Sequence, residues 1–555
     1  MQIPEPQPEH NPRPPWLLPG VLGVLAIGGL ILLANRIQNP PAPPASPSQL
    51  VVDRRAPALD PVTAARLREG GNLARQVCAS CHLFPEPEAL DRVTWAMEVL
   101  PEMAIWLGLR LDKQDPYIAL GLDERVREAN VIPERPPITF KQWRSICLYY
   151  LHEAPDALSP APRDLEVSTE LSGFEVEIPA RTEAPRTTMV HIDPGQQRIY
   201  LGSIGERSPG MLSVFSSAGV HERSMPVASP PVALTVQETQ LITTLIGSYA
   251  PSDRLLGQVI SIPRPDTPAP SGGVLVSGQP RATLALPADM NGDGREDIVL
   301  CGFGHVLGKL SWFENQGGGR FEEQVLMDQS GALAARALDW NQDGLTDLIV
   351  MVAQQREGVH LLTNLGNGDF EPRSLIEKHA AWGFAAFDLA DLNGDGHLDI
   401  ITANGDSSDY TTPLPPLKNY HGFRIYLNDG AFQFSESWFF PAHGASKVMA
   451  RDFDNDGDID LATTSFYADF ENSPNEGFML FQNTGEAELK FQPQTFEKAR
   501  IGRWITLDAN DLDADGDIDI VLGAMESGPA NAPEKLRQAW HEEGPPFVIL
   551  RNTSK

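Results

Sequence analysis

The chain reads as a multidomain protein: an N-terminal transmembrane helix, a small all-α domain and a seven-bladed all-β propeller. Three observations predict this. An apolar run lies at residues 16–36, uncharged as far as Asn35, and a helical pattern carrying Cys78-Ala-Ser-Cys81-His82 follows it. The remainder is a strand-and-turn repeat of roughly 50–60 residues, and five of its copies share one nine-residue acidic pattern.

At 555 residues the chain is too long for one core. Its 47 Gly and 49 Pro suit a turn-rich β protein without reaching the share that marks a disordered chain. The net charge of -31, with no Lys/Arg stripe, excludes nucleic acid as a partner. Four cysteines, at 78, 81, 147 and 301, are too few for a disulfide scaffold.

Residues 1–15 read as a cytoplasmic tail. WLLPGVLGVLAIGGLILLANR (16–36) at ~1.5 Å per residue covers a hydrocarbon core of about 30 Å, which predicts an uncleaved membrane anchor. Residues 37–61 form a proline-rich, extended spacer.

Residues 62–156 are predicted helical. Asp60-Pro61 supplies an N-cap and a first-turn proline, and Thr139 with Gln142 forms a capping box ahead of Phe140, Trp143, Cys147 and Tyr150. Pro155 ends that helix, and 157–167 is a linker.

Residues 168–555 are the propeller. The acidic copies begin at Asp289 (DMNGDGRED), Asp339 (DWNQDGLTD), Asp391 (DLNGDGHLD), Asp452 (DFDNDGDID) and Asp511 (DLDADGDID). Each runs straight into an apolar strand, and the strand after that ends in Asn: Asn315, Asn364, Asn428, Asn483 and Asn552. Two degenerate copies (TTMVHIDPGQQRIYLGSI, VALTVQETQLITTLIGSY) precede them, which predicts seven blades. The last blade lacks a fourth strand, so FEVEIPA (174–180) is expected to return and close the ring.

A calcium loop needs oxygen ligands converging from a tight turn, with a backbone carbonyl at the seventh position and Gly at the sixth. The five copies offer Asp289, Asn291, Asp293, Arg295 and Asp297; Asp339, Asn341, Asp343, Leu345 and Asp347; and Asp391, Asn393, Asp395, His397 and Asp399. The last two offer Asp452, Asp454, Asp456, Asp458 and Asp460, then Asp511, Asp513, Asp515, Asp517 and Asp519. About five bound Ca2+ are expected. An EF-hand is excluded, because its twelfth position is Leu300, Val350, Thr402, Thr463 or Leu522 where a bidentate Glu is needed. Magnesium suits the loops less well, since it demands near-octahedral geometry.

The CxxCH sequence has its own chemistry: two thiols add to heme vinyl groups and the adjacent His binds iron. A zinc half-site would need a second ligand pair, and a thioredoxin-like dithiol would need a βαβ setting. Heme c at Cys78, Cys81 and His82 is the expectation.

The acidic motifs resemble the FG-GAP or VCBS-type repeats of integrin-like β-propellers. That resemblance implies structural metal loops between the first and second strands of each blade, and a binding face on the opposite side, where the connections at ~403–421, ~465–476 and ~523–545 are long. The helical segment, with Gly71 before CASCH and a closing helix bearing Trp143 and Tyr149-Tyr150, resembles a monoheme cytochrome c domain. The resemblance implies a methionine opposite the histidine. Met103 is the choice, with Met97 or His152 as alternatives. Heme attachment in such proteins occurs outside the bacterial cytoplasm, which implies a single-pass protein with its bulk extracytoplasmic. The reading is an anchored electron carrier whose propeller docks a redox partner protein or surface ligand. The alternatives are an oxidoreductase whose propeller binds a sugar or alcohol, and an adhesion module with a redox-sensing heme. No catalytic constellation marks the chain as an enzyme; His305, His421 and His443 near blade loops stand without companions.

Overall fold

The computed structural model describes residues 60–554 except 111–113, 207, 269–270, 408–416, 486–488 and 529–531. The chain falls into two compact units, Met1–Asp60 and Pro61–Lys555. The predicted membrane helix, residues 16–36, lies outside the described residues. Among the described residues no helix is long and apolar enough to cross a membrane. The single-pass anchor, and the placement and membrane contact inferred from it, are therefore withdrawn.

Seven four-stranded antiparallel sheets form the blades, spanning 187–227, 231–279, 282–327, 332–378, 384–441 and 445–494, with the seventh at 504–552. The second strand of every blade with an acidic motif, such as Asp347–Val352 and Asp519–Ala524, is buried at each residue. Both faces of these strands pack against neighbouring blades, which is why they read as unbroken apolar runs. Outer strands such as Phe321–Met327 are partly or fully exposed along their whole length.

The seventh blade closes as expected. Phe174–Glu177 pairs antiparallel with Phe547–Asn552 in the register Phe174↔Asn552 to Glu177↔Ile549. The Phe174 ring meets Phe453 of blade six edge-on, with centroids 6.3 Å apart. An otherwise bare sheet edge is covered.

The expectation of a small all-α cytochrome c domain is corrected. Between the helices Pro61–Val77 and Phe140–Glu153, Arg92–Thr94, a π-helical turn at Trp95–Val99 and Leu100–Trp106 follow one another without a break, and the other pieces have three to five residues. Prolines at 85, 87, 116, 133, 136 and 137 keep the remaining pieces short, while Pro101 sits in the first turn of Leu100–Trp106. What remains belongs to the same compact unit as the propeller.

Contacts with three propeller loops hold the segment. Asp123 Oδ2 accepts from Asp253 N at 2.8 Å and Ser252 Oγ at 3.3 Å, while Arg125 Nη1 donates to Asp253 O and Leu307 O. Asp253, 1% exposed, in turn accepts the backbone N–H groups of His305, Val306 and Leu307, each to Oδ1 at 2.8–2.9 Å. Further round, the Tyr420 hydroxyl donates to Ala89 O at 3.0 Å. These propeller residues come from connections between second and third strands in blades two, three and five. The helical segment thus caps the face opposite the acidic loops.

Candidate functional site

Each acidic motif joins the first strand of its blade to the second, and each repeats one hydrogen-bond scheme. The ninth-position carboxylate is 0–1% exposed in all five copies. Its Oδ2 accepts the N–H of the second position (Met290, Trp340, Leu392, Phe453, Leu512), and its Oδ1 accepts the N–H of the strand-ending Asn. That Asn donates its amide to the carbonyl just before the buried Asp: Glu296, Thr346, Leu398, Ile459 and Ile518. In two blades the amide also reaches back one blade, Asn364 to Met290 O at 2.9 Å and Asn552 to Phe453 O at 2.6 Å. The recurring strand-end Asn in the sequence is therefore a lock between loop, strand and neighbouring blade. Its spacing was legible; its partner was not.

The first-position Asp accepts the N–H of the sixth-position Gly at 2.8–3.2 Å in every copy. Those glycines adopt φ from +80° to +98°, a left-handed conformation that a Cβ would strain. The backbone therefore bends each loop into a cradle.

The cradles fall into two groups. In blades three to five the third position is Asn, and local donors meet the acids: Arg295 pairs with Asp293, Asn341 Nδ2 donates to Asp343 at 2.8 Å and Asn393 Nδ2 to Asp395 at 2.9 Å. In blades six and seven the third position is Asp. There, Asp452 Oδ1, Asp511 Oδ1, Asp513 Oδ1 and Asp517 Oδ1 are buried without a hydrogen-bond partner among the described residues. Oxygens of Asp452, Asp454 and Asp460, and of Asp511, Asp513 and Asp515, lie within 4.8 Å of one another. Burial, aided by neighbouring carboxylates, pushes the Asp460 carboxyl up to about 7 and that of Asp517 to about 7. A divalent cation would supply the charge these oxygens lack. Arg551 partly does so in blade seven, donating to Asp513 at 3.1 Å and Asp519 at 2.9 Å.

The Cys78–Ser80 turn continues the helix Pro61–Val77. Cys78 packs into the core with Trp95, Trp143 and Tyr150, and burial pushes its thiol up to about 11; Cys81 is exposed. His82 Nδ1 lies 2.8 Å from Leu83 O. A ring that donates from Nδ1 keeps the lone pair of Nε2 for a metal. This donor set fits a covalent heme: two thiols on one turn and an oriented imidazole. Met103 packs against the core that holds Cys78, whereas Met97 is 69% exposed and His152 is engaged by Glu153 at 3.0 Å.

Below this segment the propeller presents aromatic rings. Trp382 stacks on Tyr420 with centroids 5.2 Å apart and planes 12° from parallel, and the Arg424 guanidinium lies 4.5 Å from the Trp382 ring. His379, T-shaped against both, is pushed down to about 4, first by burial and then by the nearby charges of Lys418 and His82. His82 thus sits within electrostatic reach of the propeller.

A model of an FG-GAP-like repeat matches residues 289–350 and 339–402, the acidic loops and strands of blades three and four and the start of blade five. No curated protein matches the chain. Similar solved structures include a 6-phosphogluconolactonase-like protein from Bacteroides uniformis, at 11% identity over 60% of this chain and 95% of that one, TM-score 0.40. The β-propeller domain of Cps50 (Swd1) from Myceliophteria thermophila matches at 9% identity over 68% and 99%, TM-score 0.41. A computationally designed protein, Ika8, matches at 12% over 63% and 85%, TM-score 0.36. These likenesses carry no functional information.

Proposed function

We propose that this seven-bladed propeller with FG-GAP-like repeats is a binding module stabilised by calcium, and that the segment on its face carries one covalent heme c for one-electron transfer to a redox partner or surface ligand. The observation that supports it best is the conjunction at residues 78–82: a half-buried thiol, an exposed thiol one turn on, and a histidine whose Nδ1 is engaged. When bound, heme supplies a single-electron couple.

The chain's own residues would do the rest. Cys78 and Cys81 tether, and His82 Nε2 ligates. Trp95, Trp143 and Tyr150 exclude water from one side, and Met103 is the candidate for the far ligand. The acidic loops would hold cations on the other face, with the two Asp-rich cradles of blades six and seven as the strongest sites.

Intact-mass measurement on protein from its native host tests this. Wild-type chain should carry one heme adduct, lost in a Cys78→Ala, Cys81→Ala variant. Free, alkylatable thiols at both positions in the wild type would sink the heme reading.

A further inference from the structure

Between blades five and six, on the face opposite the acidic loops, lies a pocket of about 170 Å³. Lys418 and Asn419 form one wall, His443 comes from the turn between the blades, and Ser465 lies at the end of a blade-six strand. The connector before the propeller roofs it. Arg163 pins that roof, donating to Glu476 at 2.9 and 3.0 Å and lying 4.5 Å from the Phe440 ring.

Two groups face this space unspent. Ser465 is 1% exposed, and its Oγ has no hydrogen-bond partner among the described residues; His443 Nδ1 is likewise buried and unpartnered. Leaving a buried polar group unmade costs ~1–3 kcal/mol, so such groups mark where a ligand or water completes the bonding. Burial holds the His443 imidazole below its usual range, so it meets a ligand as a neutral donor or acceptor.

Charge selects the ligand class. The lining holds two cations, Arg163 and Lys418, and two anions, Asp469 and Glu476. Arg163 is consumed by Glu476, Lys418 Nζ donates to Ala381 O at 2.8 Å, and Asp469 accepts from Asn472. No net charge is left to attract an ion. Apart from Ser473, the remaining lining is aliphatic, from Pro160, Ala161, Pro441, Ala442 and Ala468. Flat aliphatic walls suit the C–H face of a sugar ring, while a hydroxyl and an imidazole suit its O–H groups. A single water needs about 10–15 Å³ of such space, so the pocket has room for a small polar molecule and not just one ordered water.

We propose that this pocket binds a single neutral monosaccharide, an assignment that rests on reading the propeller as the binding module. Calorimetric titration of the full chain with D-glucose, D-galactose, D-mannose and inorganic phosphate tests it. At least one sugar should bind saturably at one site per chain. Ser465→Ala should weaken it roughly tenfold, as loss of one hydrogen bond to a buried partner would. Removing an unpartnered buried Oγ should not lower the melting temperature of the sugar-free chain. His443→Phe serves as a second variant and should weaken binding similarly. Three outcomes would overturn the proposal: no saturable sugar binding, phosphate binding instead, or sugar binding untouched by both substitutions. Heme content measured on the same sample separates this result from the electron-transfer reading.

Discussion

The strand-end asparagines do at residue scale what no composition count reveals. Asn364 is 2% exposed and its amide serves two carbonyls, Met290 and Thr346, in two blades. Asn315 is less buried and its amide serves one, Glu296. Asn364→Ala should therefore cost about 1–3 kcal/mol in denaturant unfolding, and Asn315→Ala less than about 1 kcal/mol. Equal losses would refute the inter-blade role. A second residue sets a pH limit. His421 is 2% exposed, and burial holds it well below its usual pKa. The unfolded chain takes up this proton near pH 6.5 while the folded chain resists it, so the contribution of His421 is present above that pH and lost as pH falls below it. The melting temperature should decline from pH 7 to 5, and His421→Gln should flatten that decline.

At the scale of elements, the closing strand is the decisive piece. Deleting residues 174–177 uncovers Phe547–Asn552 and removes the Phe174–Phe453 contact. The variant should melt lower and associate with rising concentration in sizing experiments, because an unpaired strand recruits another chain. The acidic loops divide in a way that can be measured. Asp454→Ala with Asp515→Ala should abolish most of the calcium-dependent rise in melting temperature, while Asn341→Ala with Asn393→Ala should leave most of it. Much of this architecture was legible in the sequence. Seven blades, the acidic turns and the returning strand follow from period, strand-end Asn and one missing partner. The independence expected of the helical segment failed for a physical reason. Its attachment runs through Asp123 and Arg125 at the start of the short helix Glu124–Glu128 and Asp253 in a propeller loop, single polar residues that no periodicity flags. The pocket was equally hidden, since its lining gathers residues from Pro160 to Glu476 that only the folded ring and the connector before it bring together.

For the whole molecule, the two faces have different tasks. Acidic cradles crowd one side, and buried Asp carboxyls there are pushed up by burial and mutual repulsion, Asp519 to about 6. Removing calcium should lower the melting temperature of the full chain, and restoring it should return the loss in proportion to RT ln(1 + [Ca]/Kd) per site. The other side carries the aromatic stack, the sugar-sized pocket and the capping segment. That cap fastens to blades two, three and five at Asp253, Leu307 and Tyr420. A ring whose wedges touch only their neighbours can shed them one at a time, but a lid riveted to blade five as well as to blades two and three makes each departure wait for the others. Scanning calorimetry of the intact chain should accordingly trace one endotherm, and slow breathing of the ring should be quenched on the riveted side.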